Sequence, residues 1–344
     1  MSGGTGGTQR VLELDALRGV AALGVAVFHC TTHYGNEIGH PVPPAFGFPA
    51  GNYGVQLFFL ISGFVIFMTL ERTRHALDFV VSRFSRLFPA YWAAILLTAT
   101  IVYTIGMPQQ ILPGPALLLN LTMIQQILGG QHLDGSYWTL QLELFFYIQM
   151  LFWFSTGQLQ RIRWIISGWL ILSLVFGLWE KAMGHPFSYT LREILILRYI
   201  PFFAIGILFY RIWTRKTEGH GDYGLILASL AVIGATLPLV YLAVAGFCVA
   251  VFWLFVSGRL TWLRLRPFEF LGTISYSMYL LHQAIGFAVI WRLEALGLNG
   301  TEAALTAIVT TSALAVLLTF LIERPAMRAI RSAWKNRYAA RATA

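Results

Sequence analysis

Eleven apolar runs occupy most of this chain and limit what it can fold into. They lie at about 15–33, 53–70, 88–106, 111–128, 139–157, 164–180, 193–210, 223–237, 239–257, 270–294 and 303–322. A helix needs roughly 20 apolar residues to cross the ~30 Å hydrocarbon core of a bilayer, and many of the runs approach that length. Only 11 % of the 344 residues are charged, against roughly 25 % in ordinary soluble domains. A soluble fold of this size could not cover its surface with so little charge. The 57 % hydrophobic share suffices for roughly ten spans. A soluble enzyme, a secreted disulfide scaffold and a disordered chain are excluded. Cys30 and Cys248 sit in apolar runs without a CxxC or metal-ligand partner, so neither a disulfide framework nor a metal site is read here. The net charge of +9 is assigned to basic loops rather than to nucleic-acid binding. Residues 1–10 have no apolar core and read as a short flexible tail, and the first run has no cleavage pattern of a leader peptide.

Arginine and lysine orient the runs. Basic clusters occupy 72–86, 161–163, 211–216 and 259–266, and the segment after 323 adds Arg324, Arg328, Arg331, Lys335, Arg337 and Arg341. The connections at 34–52, 129–137 and 297–302 contain neither residue. The first set is therefore expected in the cytoplasm and the second outside. That pattern closes only if one run fails to cross. The run 111–128 is the weak one, since it begins Pro113-Gly114-Pro115 and carries Asn120, Gln125 and Gln126. Taken as a re-entrant or interfacial segment, it leaves an all-α polytopic membrane protein with ten crossings and both termini cytoplasmic. Residues 11–325 then form one membrane domain, and 326–344 a basic cytoplasmic tail.

Ionisable groups at membrane depth are costly and point to function. Among the histidines only His29 and His282 fall inside runs, and Glu143 is the one acidic residue well inside a run with apolar neighbours on both sides. At 1.5 Å per residue, His29 lies about 21 Å and His282 about 18 Å from the cytoplasmic ends of their helices. Glu143 lies about 8 Å and Ser62 about 14 Å from the outer ends of theirs. All four are therefore expected to converge in the outer half of the bilayer. Arg18 and His29 share one helix face, ~16 Å apart along the axis, with Asp15 placed to orient Arg18. Taken singly, each has a plainer reading: a satisfied interhelical hydrogen bond for His29 or Glu143, a snorkelling anchor for Arg18. Arg83 and Arg86 can be positive-inside markers, and Trp138, Tyr276 and Tyr279 interfacial aromatics.

These residues fall into an ordered set of motifs. Asp15-Ala-Leu-Arg18-Gly19 is followed by His29, then by Gly54-Val-Gln-Leu-Phe58-Phe59-Leu-Ile-Ser62-Gly63-Phe64. Arg83-Phe-Ser-Arg86, Tyr137-Trp138-Thr139-Leu140 with Glu143, Ser275-Tyr276-Ser277-Met-Tyr279-Leu-Leu-His282 and Glu323-Arg324-Pro325 complete the series. In this order the chain resembles the acyltransferase 3 family of integral membrane acyltransferases, from residue 15 to 325. Gln56 stands where an acidic residue is frequent in that family, and Thr139 where Ser is usual.

The resemblance implies transfer of an acyl group, commonly acetyl from acetyl-CoA, to a hydroxyl of a cell-surface or lipid-linked carbohydrate at a bacterial inner membrane. His29 is then the general base or acyl carrier, with Glu143 orienting it. Arg83 and Arg86 suit the phosphates of acyl-CoA, with Arg18 further along the donor arm. Ser62, Trp138, Tyr276, Tyr279 and His282 are candidate acceptor or oxyanion contacts, and no metal is implied. A transporter or flippase of a glycan or lipid-linked intermediate also needs many spans and buried polar groups. It predicts more intramembrane carboxylates or matching broken helices in two halves, and the sequence has one deep carboxylate and no internal repeat.

Overall fold

The computed structural model describes residues 11–214 and 220–342. The expected tail at 1–10, and Arg215 and Lys216 of one basic cluster, lie outside the described residues. The described residues form helices and turns, without a strand. The first helix, α1 (Leu12–Phe28), passes through a π-helical turn at His29–His33 into the short α2 (Tyr34–Glu37). Two long helices follow, α3 (Gly54–Glu71) and α4 (Ala76–Ile105), and then the six-residue α5 (Gly114–Leu119). Next come α6 (Trp138–Ser155), α7 (Ile162–Met183), the short α8 (Tyr189–Ile194), α9 (Ile200–Trp213), α10 (Gly221–Thr236) and α11 (Leu239–Val256). The chain ends in α12 (Arg266–Leu281), α13 (Ala284–Ala295), α14 (Gly300–Leu318), a second π-helical turn at Thr319–Glu323 and α15 (Arg324–Ala342).

Six helical stretches are long and apolar enough to cross a membrane: Leu12–Glu37, Pro49–Glu71, Ala76–Ile105, Gln158–Met183, Leu239–Val256 and Gly300–Arg337. The pair α12 and α13 passes the same test jointly but is bent by 70°. The chain is thus built as a multi-pass helical membrane protein. Of the ten expected crossings, those on α6, α9 and α10 are not established by length and hydropathy. α9 and α10 are short apolar helices, and α6 carries Gln141, Glu143 and Gln149.

The structure adds detail at three places that the sequence singled out. The run 270–294 is not one helix, since it breaks at His282-Gln283. The run 111–128 has no helix beyond six residues, and its polar residues are the reason. Asn120 is fully buried, donates to the carbonyls of Ala116 and Gln131, and accepts the Leu133 N–H. Gln125 and Gln126 both bond the His132 ring. The helix α15 packs against α4, with Trp334 Nε1 donating to Asp78 at 2.8 Å.

Small residues set the helix crossings. Lipid supplies no hydrophobic drive between helices, so close van der Waals approach must. The closest partners are α1 and α12, which cross where Gly19 meets Gly272. A Cβ on Gly19 would lie 2.4 Å from Gly272 N, and one on Gly272 would lie 2.4 Å from the Asp15 carbonyl. α3 and α9 cross the same way through Gly63 and Gly206, against the carbonyls of Phe203 and Leu60. The core behind them is aromatic. Phe203 stacks between Phe59 and Phe146 at centroid distances of 4.8 and 4.2 Å.

Gly19→Ala forces α1 and α12 apart and should destabilise the fold by about 1–3 kcal/mol or more. Gly168, with open space at its Cβ position, is the control. Thermal unfolding in detergent should show a lowered Tm for Gly19→Ala and an unchanged one for Gly168→Ala.

Candidate active site

A cavity of about 80 Å³ lies among α1, α3, α4, α6 and α12, with room for about five waters. Arg18, Ser62, Arg83, Arg86, Glu143, Tyr147, Tyr276 and Tyr279 are among its lining residues. Glu143 Oε1 accepts from Ser62 Oγ at 2.7 Å and from Tyr147 OH at 2.6 Å. The Arg83 guanidinium lies 5.8 Å from the Tyr147 ring centre and 5.7 Å from that of Phe79, in cation–π range. Its Nε is buried without a hydrogen-bond partner.

The two arginines of the Arg83–Arg86 pair are not equivalent. Arg86 is ion-paired to Glu323, which is 1 % exposed. The other oxygen of Glu323 accepts from Ser277 Oγ at 2.8 Å, and Arg86 also lies 5.5 Å from the Tyr276 ring centre. The π-helical turn at Thr319–Glu323 delivers that carboxylate. Arg86 is thus held by a structural carboxylate, whereas Arg83 bonds the Ser82 hydroxyl and lies against the Tyr147 ring. Arg331 of α15 approaches the same region, donating to Ser85 Oγ and the Ser82 carbonyl at 3.1 and 3.3 Å. Asp15 acts electrostatically on Arg86.

His29 does not line this cavity. It opens the π-helical turn that ends α1, the kind of local widening often found at functional sites. Its Nδ1 lies 3.1 Å from His282 Nε2 and 2.9 Å from the Val25 carbonyl. His282 is 0 % exposed, and its Nδ1 lies 2.8 Å from the Tyr279 carbonyl. A carbonyl can only accept, so His282 Nδ1 carries a proton. With both rings neutral, the one proton on His29 Nδ1 is shared between the Val25 carbonyl and His282 Nε2. His29 Nε2 keeps its lone pair. His33, one turn on, sets its ring 5.0 Å from that of His29.

The break after α12 creates the His282 position. A bend of this size strands backbone groups that must find partners, and residues 134–139 supply several. Tyr137 OH donates to the Leu280 carbonyl at 3.2 Å. Asp134 Oδ2 accepts the N–H of Ala284, the first residue of α13, at 2.8 Å. Asp134 Oδ1 accepts from Ser136 N and Oγ at 2.8 and 2.5 Å. Thr139 Oγ1 and Tyr279 OH lie 2.7 Å apart, fastening α6 to α12. Gly135 admits the Gln283 side chain where a Cβ would clash, 2.3 Å from its Nε2.

The expected site therefore divides in two. Arg18, Ser62, Arg83, Arg86, Glu143, Tyr276 and Tyr279 gather at the cavity, whereas His29 and His282 form a separate pair. Glu143 is bonded to Ser62 and Tyr147 rather than to His29, so the expected His29–Glu143 dyad is replaced by His29–His282. Tyr279 links the halves: it lines the cavity, and its ring lies 5.4 Å from that of His282. Most candidate oxyanion donors are already committed, Ser62 to Glu143, Tyr276 to the Leu87 carbonyl and Tyr279 to Thr139. Trp138, by contrast, makes aromatic contacts with Phe59 and Tyr199, and no hydrogen bond engages its indole N–H among the described residues. Gln56, at the position where family members often carry an acid, has a buried Oε1 without a partner. Sequence reasoning assigned no site role to Asp134, Glu323, His33, Tyr147 or Arg331. The i, i+4 spacing of His29 and His33 was a usable signal, as was the Glu143–Tyr147 spacing.

The acyltransferase-domain family Acyl_transf_3 matches residues 11–324. The chain is 26 % identical over 308 residues to the exopolysaccharide production protein ExoZ of Rhizobium meliloti (strain 1021), covering 82 % of this chain and 91 % of that one. It is 24 % identical over 324 residues to the acyltransferase MdmB of Streptomyces mycarofaciens, covering 81 % of each. An O-acetyl transferase of Shigella phage Sf6 is 41 % identical over 85 residues, 24 % of each chain. No solved structure matches. With a match over nearly its whole length, the chain belongs to the acyltransferase 3 family.

Proposed function

We propose that this protein is a membrane O-acyltransferase that moves an acyl group, acetyl in the simplest case, from cytoplasmic acyl-CoA to a hydroxyl of a cell-surface or lipid-linked carbohydrate. The carbohydrate acceptor is supported by the relative named for exopolysaccharide production, and acetyl by the O-acetyl transferase. In this reading the chain crosses a bacterial inner membrane ten times with both termini in the cytoplasm, so Arg83, Arg86 and Arg331 face the compartment that holds CoA. The observation that carries the reading is the His29–His282 contact, which engages Nδ1 of His29 and leaves the Nε2 lone pair open to a substrate proton.

The chemistry then runs as follows. His29 Nε2 takes the proton of the acceptor hydroxyl as its oxygen attacks the thioester carbonyl. The new C–O bond forms, the C–S bond breaks, and the CoA thiolate leaves with the proton returned from His29 Nε2. His282 holds the His29 ring through Nδ1, the place a carboxylate takes in a Ser-His-Asp triad. Arg83, whose Nε has no partner, and Arg18 supply cationic contacts to the donor, and Arg331 adds a third. Arg86 orders the site through Glu323. Glu143 fixes Ser62 and Tyr147 at the cavity wall. The Trp138 N–H, not engaged among the described residues, is proposed as a donor to the acceptor sugar.

His29→Ala should lower turnover by about a hundredfold to ten-thousandfold while the Tm in detergent stays near wild type. Transfer of label from acetyl-CoA to a saccharide acceptor is the measurement, and retained turnover would refute the assignment. Arg331→Gln should raise the KM for acyl-CoA by about tenfold and leave the acceptor KM unchanged. A larger change in the acceptor KM would move the donor site elsewhere.

A further inference from the structure

We infer that Asp134 is a positioning residue for the proton-transfer histidines, acting through the break between α12 and α13. The inference rests on the reading that His29 takes the acceptor's proton, and it adds a carboxylate to that machinery.

Asp134 is 0 % exposed, and a buried carboxylate is expensive unless its oxygens are bonded. Both are. Oδ2 accepts the Ala284 N–H that opens α13, and Oδ1 accepts the backbone and hydroxyl protons of Ser136. One carboxylate thus closes two helical starts, that of α13 and that of the turn Gly135–Tyr137 leading into α6. At a helix N-terminus its charge also meets the positive end of the helix dipole. Fixing Ala284 from one side leaves His282 and Gln283 little freedom, since Tyr137 ties down the Leu280 carbonyl on the other. Cys30 Sγ, beside His29 in the chain, lies 3.8 Å from the His282 carbonyl. His282 therefore stands at a backbone position held from both directions, with its Nδ1 on the Tyr279 carbonyl and its Nε2 toward His29. A shift of about 1 Å in such a support costs far more in rate than in binding.

Asparagine matches the carboxylate in size but can accept on one side only, so in Asp134→Asn the amide N–H₂ faces either Ala284 N–H or Ser136. The expected result is a kcat lowered about tenfold, with the KM values for acyl-CoA and acceptor unchanged. The loss should be coupled to His282. In a His282→Gln background, read by single-turnover label transfer, Asp134→Asn should cost less than about twofold further. Ser136→Ala, which removes one donor to Oδ1, should show a smaller loss with the same dependence on His282. It carries the test if Asp134→Asn does not yield folded protein. An unchanged kcat, a raised KM, or equal losses with and without His282 would overturn the inference. His29→Ala separates the two levels of the argument. If it retains turnover, the assignment of His29 fails. If it is inactive while Asp134→Asn and Ser136→Ala turn over like wild type, only the role of Asp134 fails.

Discussion

A helix that bends by 70° inside a packed bundle exposes backbone groups to surroundings without water, where each unmet group costs several kcal/mol. The break at His282-Gln283 survives because residues 134–139 and the His282 side chain meet those groups. Asp134 takes an N–H, Tyr137 satisfies one carbonyl and His282 Nδ1 another. The same bonds join α12 to the start of α6, so the cavity wall and the histidine pair are built by one set of contacts. The Gly19–Gly272 crossing does the complementary work on the other side, bringing α1 close enough for His29 to reach His282.

Charge is distributed by the same economy. Asp222, 0 % exposed, is shared between Arg163 and Arg211, and Glu323 neutralises Arg86. These pairs tie helices together, and the second neutralises a cation that lines the candidate site. What remains near the cavity is Arg83, Arg18 and the nearby Arg331, set against the carboxylate of Glu143. In the proposed reading, this local excess of positive charge would face the polyanionic donor.

Much of this was legible in the chain. The apolar runs locate nearly every long helix, and the motifs select the residues that meet at the cavity. The polar residues of 111–128 set that run apart correctly as something other than a long helix. The expected convergence of His29 with Glu143 failed for a geometric reason. Counting residues along a helix gives height along the membrane normal, not direction around the helix axis. Glu143 was judged the deepest acid from its apolar neighbours, yet Asp134, Asp222 and Glu323 are the fully buried ones. Their burial comes from long-range partners, such as Ala284 for Asp134, 150 residues away in sequence.

By itself, the sequence determined that this is a helical membrane protein of the acyltransferase 3 type, because apolar periodicity, charge asymmetry and ordered motifs are local properties of the chain. Only the tertiary structure decided which partner each polar residue takes. It separated His29–His282 from Ser62–Glu143–Tyr147, bound Arg86 to Glu323 and brought Asp134 to the helix break. Such pairings depend on helix rotation and on the satisfaction of distant backbone groups, which no linear pattern records.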